Sequence, residues 1–482
     1  MIKKLLPILL IGLSITVLSQ KRLIEFENSL KTTSSNIKDV VPIVDENQEE
    51  IGIFIADAKN IYAYKLDSNF NILEQLISPS KKRKYKVLLG SSISKNGDYR
   101  IFASNKDQNQ FITANFSFKN QTSDIKEFKI KNFEEFIQTV SYNNKFYLIA
   151  GSKEKQSFSV YTFDDNGNIK RNRINHLPLF YVNKSGKQVI KATDLLISDY
   201  LDDIKKFEEN TPNAIETASD SRKMYLRGNE VVFTFDSNKE KTQTLILNLD
   251  SLTVKDKTFK KPLLNIKSSR KKTNSFIHED KIYTIAANKD ILSMHVLNYN
   301  TGDFIKEFTF TKDDKIGFKN TPIIQEGGVY NGYRELEKTK KFLRKITGHK
   351  IGVSVIKNNG DYQFTIGGYV PQRTGGGMMM PMGFGAIPIG SIGGSVSIFV
   401  NPTALAYNSF SSTKSTRIEC LFDANLNHIK DKKVSDNAFD KIKNASQSDD
   451  KAASTVFRYK DYFIKGDYDS WTKTYVLRKF TN

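Results

Sequence analysis

Three short stretches space oxygen-bearing side chains two residues apart: Asp67-Ser68-Asn69-Phe70-Asn71, Asp164-Asp165-Asn166-Gly167-Asn168 and Asp423-Ala424-Asn425-Leu426-Asn427. Alternating oxygens of this kind can ligate calcium. The first and third lack the glycine and the distal glutamate of an EF-hand loop. All three also fall where a hairpin must reverse, a position that favours Asp and Asn for turn geometry alone. The five histidines, His176, His278, His295, His349 and His428, stand at no zinc-ligand spacing, and Cys420 is the single cysteine. No metal or other cofactor is expected. No G-x-S-x-G elbow offers a nucleophile. A glycosidase needs two carboxylates facing each other across a cleft. The 53 acidic residues cannot be paired from sequence, the sialidase-type Asp-box is absent, and Trp471 is the one tryptophan. No catalytic residue can be named, and the chain is read as a binding protein rather than an enzyme.

One stretch without charge stands out in a chain that is 26% charged. Gly375–Gly394, GGGMMMPMGFGAIPIGSIGG, holds four of the seven methionines. Methionine is flexible and polarizable and suits a surface that adapts to a partner, whereas Gly and Pro oppose a regular helix or long strand. The candidate contact residues are Met378, Met379, Met380, Met382, Phe384, Ile387, Ile389 and Ile392. Three destinations stay open for them: the protein's own flank, another envelope protein or a barrel lumen, and lipid. The absence of a Lys-Ser/Thr pair speaks against a phosphate loop.

The first nineteen residues look like a signal peptide. Lys3 and Lys4 precede the 14-residue apolar run Leu5–Leu18, and Val17 and Ser19 are small enough for cleavage before Gln20. The run is short for a membrane span. The formal charge of +20 would become +18 on loss of Lys3 and Lys4. Export argues against nucleic acid as the basic chain's partner. An envelope protein, an outer-membrane barrel, or an anionic lipid or glycan surface fits better. The expected location is periplasmic. A lone thiol in an oxidising compartment cannot form an internal disulfide, so Cys420 is expected in the core and stability must come from packing.

Aromatic and β-branched strands recur along the chain. Ile51, Tyr99, Phe146, Val231, Ile282, Tyr362 and Tyr462 anchor similar segments, spaced 48, 47, 85, 51, 80 and 100 residues apart. A second signature follows most of them: apolar alternation into Asp, Asn or Gly, then a departing basic strand, as in YAYKLDSNFNILEQ and LILNLDSLTVKDK. Repeats of this length with several strands each predict an all-β fold, a β-propeller of about seven blades with helical and Gly/Met-rich insertions. Six or eight blades, or a pair of β-sandwiches, are the alternatives. Period-two alternation predicts one buried face per sheet. The last repeat lacks a fourth strand, which the region before Ile51 could supply.

The expected organisation is a signal peptide over 1–19, a lead-in over 20–47 and a propeller over 48–482. Insertions fall at about 176–219, 313–347 and 371–394. The first is predicted to hold an amphipathic helix with Leu196, Tyr200, Ile204 and Phe207 on one stripe. The second is predicted to hold a basic helix with Leu336, Leu343 and Ile346 on one face, lying on a membrane surface or simply solvated. The third is predicted to join two strands of one blade, the second lying within GGSVSIFVNPTALAYNSF, with a short helix, SDNAFDKIKNA, following the same blade.

TGGGMMMPMGFGAIPIG, with the following IFVNPTALAYNSFSSTKSTRIECLFDANLNHI and NAFDKI, resembles exported propeller-like envelope proteins of Bacteroidota-type bacteria over roughly the last quarter of the chain. In its type of protein the chain is also similar to the plug subunit of the type 9 secretion translocon, at the periplasmic mouth of a large outer-membrane barrel. That resemblance implies a non-catalytic scaffold or plug and no catalytic residue. A glycan-binding or glycan-processing propeller is the alternative. Unlike type 9 cargo, the chain shows no sorting domain after its last repeat, which favours a periplasmic resident. Intact mass of the mature protein is expected to match a chain starting at Gln20; a full-length mass would refute the signal peptide.

Overall fold

All seven anchor residues lie on the second strand of a run of four or five antiparallel strands, and the described residues form seven such sheets, one of them with an extra parallel strand at its edge. The computed structural model describes residues 20–31, 34–45, 48–175, 177–181, 189–197, 204–262, 271–326, 332–348, 350–358, 360–369, 401–411, 415–445 and 452–482. Blade one runs Asp39–Asp45, Glu50–Ala56, Ile61–Leu66, Ile72–Ile77, and each next strand pairs antiparallel with the last. Blades two, three and five repeat this order without interruption. First strands of successive blades lie against one another, as Asp39–Asp45 does with Ala452–Tyr459 and Lys272–His278 with Lys350–Asn358. The architecture is a β-propeller.

The ring closes through the chain's two ends. Gln20–Glu27 pairs with Thr474–Phe480, from Gln20 opposite Phe480 to Glu27 opposite Thr474, and becomes the outer strand of blade seven. The lead-in is therefore part of the propeller: residues 20–27 complete the last blade and residues 39–45 begin the first. Residues 1–19 lie outside the described residues.

Burial corrects the expectation of one covered face. Second strands are buried on both faces along nearly their whole length, Tyr99–Ser104 entirely so. The outermost strands alternate instead, as Thr122–Phe128 does. Each blade is sandwiched between two neighbours, so both faces of its inner strands meet protein. Separate apolar clusters fill the joints between blades seven and one, one and two, two and three, and three and four. A larger one runs through blades four to six and contains Cys420. At the joint of blades two and three Phe102 stacks on Phe146 with centroids 3.8 Å apart. Gly90 makes room for that ring: a Cβ there would lie 2.7 Å from Phe146.

The insertions depart furthest from expectation. Helix α1 covers only Ala192–Leu196. Downstream, Lys205–Phe207 is extended and pairs parallel with Lys223–Tyr225 at the inner edge of blade four. Phe207 is held there by stacking on Tyr225, 5.3 Å between centroids, and by its edge contact with Phe276. Tertiary burial thus overrides the helical stripe. One turn of helix, α2 (Ile215–Ala218), follows. In the second insertion Arg334–Leu336 is a strand, and the helix, α3, spans Thr339–Ile346. Phe342, Leu343 and Ile346 are fully buried against blade six, so its apolar face is spent on the protein itself. The same insertion gives blade six its outer strands, Ile323–Gln325 and Arg334–Leu336. The tip at Asp423 consequently has no departing strand, only an isolated bridge from Phe422 to His428.

Asn401 and Pro402 open a helix, α4 (Pro402–Ser411), at the end of the segment in which a strand was expected, whose residues 393–400 lie outside the described residues. The third strand of blade six is Ser415–Phe422 instead. Helix α5 (Ala438–Ala445) forms as predicted but packs on blade seven and on α4.

A charged network ties blades four to six together. Asp236 receives Lys223 at 2.9 Å and Lys261 at 3.0 Å, together with the hydroxyls of Thr242 and Ser275 at 2.7 and 2.9 Å, and all three charged side chains are essentially sealed from water. Asn274 accepts from Lys223 and donates to the carbonyls of Ser219 and Ile351. Burial would raise the Asp236 carboxyl, but the two ammonium groups overcome it and hold it far below the usual range. Asp236→Ala leaves two buried lysines without their counter-charge. It is expected to cost about 3–5 kcal/mol, read from the urea midpoint; a loss below about 1 kcal/mol would show that the network is not a brace.

Candidate functional site

At the axis, where a propeller ordinarily has its channel, stand segments of this protein's own chain. Residues 204–219 and α4 bond to the first strands of several blades. Gln138 in blade three reaches the Ile204 carbonyl at 3.5 Å, and Lys206 donates to Thr139 at 3.4 Å. Asn274 in blade five reaches Ser219. Asn401, capping α4 through Ala404 N–H at 3.2 Å, donates to the Val456 carbonyl of blade seven at 2.7 Å. Thr403 on α4 donates to Glu208, which joins the two segments.

Beside the segment 207–213 lies a small cavity of about 10 Å³, lined among others by Glu208, Glu209, Asn213, Tyr225 and His278. That is room for one water. His278 is buried with Nε2 lacking a hydrogen-bond partner among the described residues, and burial pushes its ring below the usual imidazole range. Burial raises the Glu208 carboxyl and lowers the Lys206 ammonium to about 7. Glu208 and Glu209 both line this cavity, which is too small for a sugar ring.

Strand direction sorts the loops onto two faces. First strands run from one face to the other, so turns between first and second and between third and fourth strands share a face. Asp67, Asp164, Asp250, Asp280, Asp303 and Asp423 lie at those turns. The three Asp/Asn tips are closed on themselves: Asp67 accepts from the amides of Asn69 and Asn71, Asp164 from Asn166 and Asn168, Asp423 from Asn425 and Asn427, at 2.7–2.9 Å. Bonds from Asn71, Asn168 and Asn427 hold these carboxyls low. Phe70 and Leu426 take positive φ of 68° and 61° there and turn into the blade joints. Among the described residues no three His, Cys, Asp or Glu side chains come together as a metal site.

The opposite face carries the blade-to-blade connections, the described ends from which the three insertions leave, and the exposed Trp471. Its connections are cationic. Lys82, Arg83, Lys84 and Lys86 follow blade one, and Lys129 and Lys131 follow blade two, all of them exposed. The candidate contact residues, Met378 to Ile392, lie outside the described residues. Their flanks do not: Tyr369 ends the second strand of blade six on this face, and Asn401 begins α4 at the axis.

On the rim between blades two and three the cationic loop borders a groove of about 640 Å³, lined by Lys129–Phe133, Tyr161, Ile169 and Arg171. Sequence reasoning named none of these residues. The K-x-K-x-F spacing was visible, but only the fold brings Tyr161 and Arg171 to it. Glu134 anchors the loop. Its buried carboxylate accepts from Ser159 at 2.6 Å, Tyr161 at 2.5 Å and Arg171 at 2.5 Å. Burial would raise this carboxyl, yet the three donors more than offset it and leave it below its ordinary value.

No known protein family and no curated protein matches the chain. Among solved structures it is similar to the Dos1 propeller, at 8% identity over 96% of this chain and 95% of that one, with a TM-score of 0.29. It is similar to a mutant of the Synechocystis apocarotenoid oxygenase at 8% identity and a TM-score of 0.29; the match takes in 60% of this chain and spans 64% of the oxygenase. AofleA from Arthrobotrys oligospora matches at 8% identity over 73% of this chain and 83% of that one, with a TM-score of 0.24.

The buried lysine on the axis gives a pH test. In the folded protein Lys206 loses its proton at about 7, against 10.5 when exposed. Between those values the unfolded chain binds the extra proton, so this group makes stability rise with pH, by at most about 1.4 kcal/mol per unit. Urea unfolding at successive pH values between about 7 and 10 is expected to show a shallower rise for Lys206→Met than for the parent. Equal slopes would mean the side chain is not desolvated.

Proposed function

We propose that this chain is a non-catalytic scaffold or plug of the periplasm that docks on another cell-envelope component through its insertion-bearing face. The observation that carries the reading is the axis. Where a propeller would hold a substrate, residues 204–219 and α4 bond to the first strands of blades three, five and seven. The inserted segments that replace that opening all leave from one face, beside the cationic connections.

An uncharged Gly/Met/Ile segment rooted between Tyr369 and Asn401 suits contact with an apolar, adaptable surface such as the mouth of an outer-membrane secretion barrel. Basic loops around it suit an acidic rim on the same partner. In this reading the blades are a rigid platform, and the chemistry of recognition lives in the loops.

Affinity purification from native envelopes, with the parent and with a chain lacking Gly375–Gly394, tests the proposal. A stoichiometric envelope partner held by the parent and lost by the deletion is expected, with unchanged urea stability for both. Identical partner sets would overturn the contact role of the segment.

A further inference from the structure

The rim groove between blades two and three has a composition that neither a plug nor a solvated flank requires. Lys129, Lys131, Asn132 and Phe133 project from a loop pinned on both sides. Ile130 is buried, Lys131 N–H donates to the Tyr161 hydroxyl at 3.0 Å, and the Glu134 side chain is wholly inaccessible. The loop is thus preorganised, which lowers the ordering cost of binding.

Charge in the groove is one-sided. Glu134 is the one carboxylate between these lysines and Arg171, and it is consumed by Arg171, Ser159 and Tyr161. Glu135 faces away to Lys153 at 3.8 Å, and Glu154 neighbours Lys155 in the adjoining turn. Lys129 and Lys131 have no carboxylate within ion-pair distance among the described residues. Beside them two apolar side chains stay in water, Phe133 at 38% and Ile169 at 42% exposure. Lys155 sits over the Phe133 ring at 3.5 Å and the Arg171 guanidinium lies 5.6 Å from it. Cations therefore flank an aromatic side chain on an open groove.

We propose that this groove binds an acidic polysaccharide. The apolar face of a sugar ring would lie along Phe133 and Ile169. Its carboxylate, sulfate or phosphate would be taken by Lys129 and Lys131, and Asn132 is placed for a hydroxyl. An open-ended groove lets a polymer pass through, which a closed pocket would not. These residues are separate from the Gly/Met segment, so the proposal stands or falls apart from the docking role.

The test is titration calorimetry of the full mature chain with three probes: oligogalacturonate, a neutral cello-oligosaccharide of equal length and poly-glutamate of equal charge. Oligogalacturonate is expected to bind, and to weaken at least about tenfold as salt rises from about 50 to about 500 mM. Lys129→Gln/Lys131→Gln and Phe133→Ala are each expected to weaken it about tenfold or more. Lys119→Gln on the opposite face should leave it unchanged, and unfolding curves should show all variants folded. Failure of oligogalacturonate to bind would overturn the proposal. So would equal binding of poly-glutamate with Phe133→Ala indifferent, since that is a bare basic patch recognising acidic protein. Equal binding of the neutral sugar would remove the role of the lysines.

Discussion

The pairing of Gln20–Glu27 with Thr474–Phe480 is the constraint on which everything else rests. Seven twisted sheets arranged around an axis leave two raw edges unless the last is tied to the first. Here the tie is made by the extreme ends of the described chain, so the ring exists only once the whole chain has been gathered. Loop-closure entropy of this order is unfavourable until the blade joints form. The joints repay it with buried aromatic and aliphatic surface, of which Phe102 on Phe146 is one example. Closure then fixes the distance of every first strand from the axis, and that distance sets what the axis must contain.

A seven-bladed ring leaves more room at its centre than side chains alone can fill. This chain places backbone from its own insertions there, and backbone brings polar groups that must be satisfied. Asn274, Asn401, Gln138 and Thr403 serve that need, each bonding an axial segment to an inner strand or to another axial segment. Asp236 does the same for the charges, collecting two lysines that would otherwise be sealed without a counter-ion. Blade one repeats the device in weaker form: Lys81 bonds the carbonyls of Asp57 and Ala58. Its ammonium, lowered mainly by burial, titrates at about 8. A lysine after the outer strand that reaches back to the turn after the second strand is thus a recurring blade clamp.

The repeat could be read in the sequence because each second strand is buried on both faces along most of its length and is therefore mostly apolar. Ile51, Tyr99 and their five counterparts each mark one. The insertions could not be read the same way. Leu196, Tyr200, Ile204 and Phe207 have helical spacing, but Phe207 is claimed by Tyr225 and Phe276, which are distant in sequence. Helix α4 was legible and was missed. Asn401 as cap and Pro402 at the first helical position are a start signal, overridden by the β-rich residues before them. The rim groove had no single-segment signature, since its loop, Tyr161 and Arg171 come together only when blades two and three pack.

The same topology separates charge. Turns on one face must tolerate positive φ and tight reversal, and Asp and Asn meet that demand through their own backbone, as at Asp67, Asp164 and Asp423. Connections on the other face run from an outer edge back to the axis and have no such requirement, so their composition is free to serve recognition. Lysines collect there, and the insertions leave from the same side. The carboxylates of these turns are committed to turn geometry, whereas Lys129 and Lys131 on the other face have no carboxylate within ion-pair distance among the described residues, so an anionic partner is favoured on the face that carries the connections. Orientation at the partner would then follow from the fold before any specific contact is made.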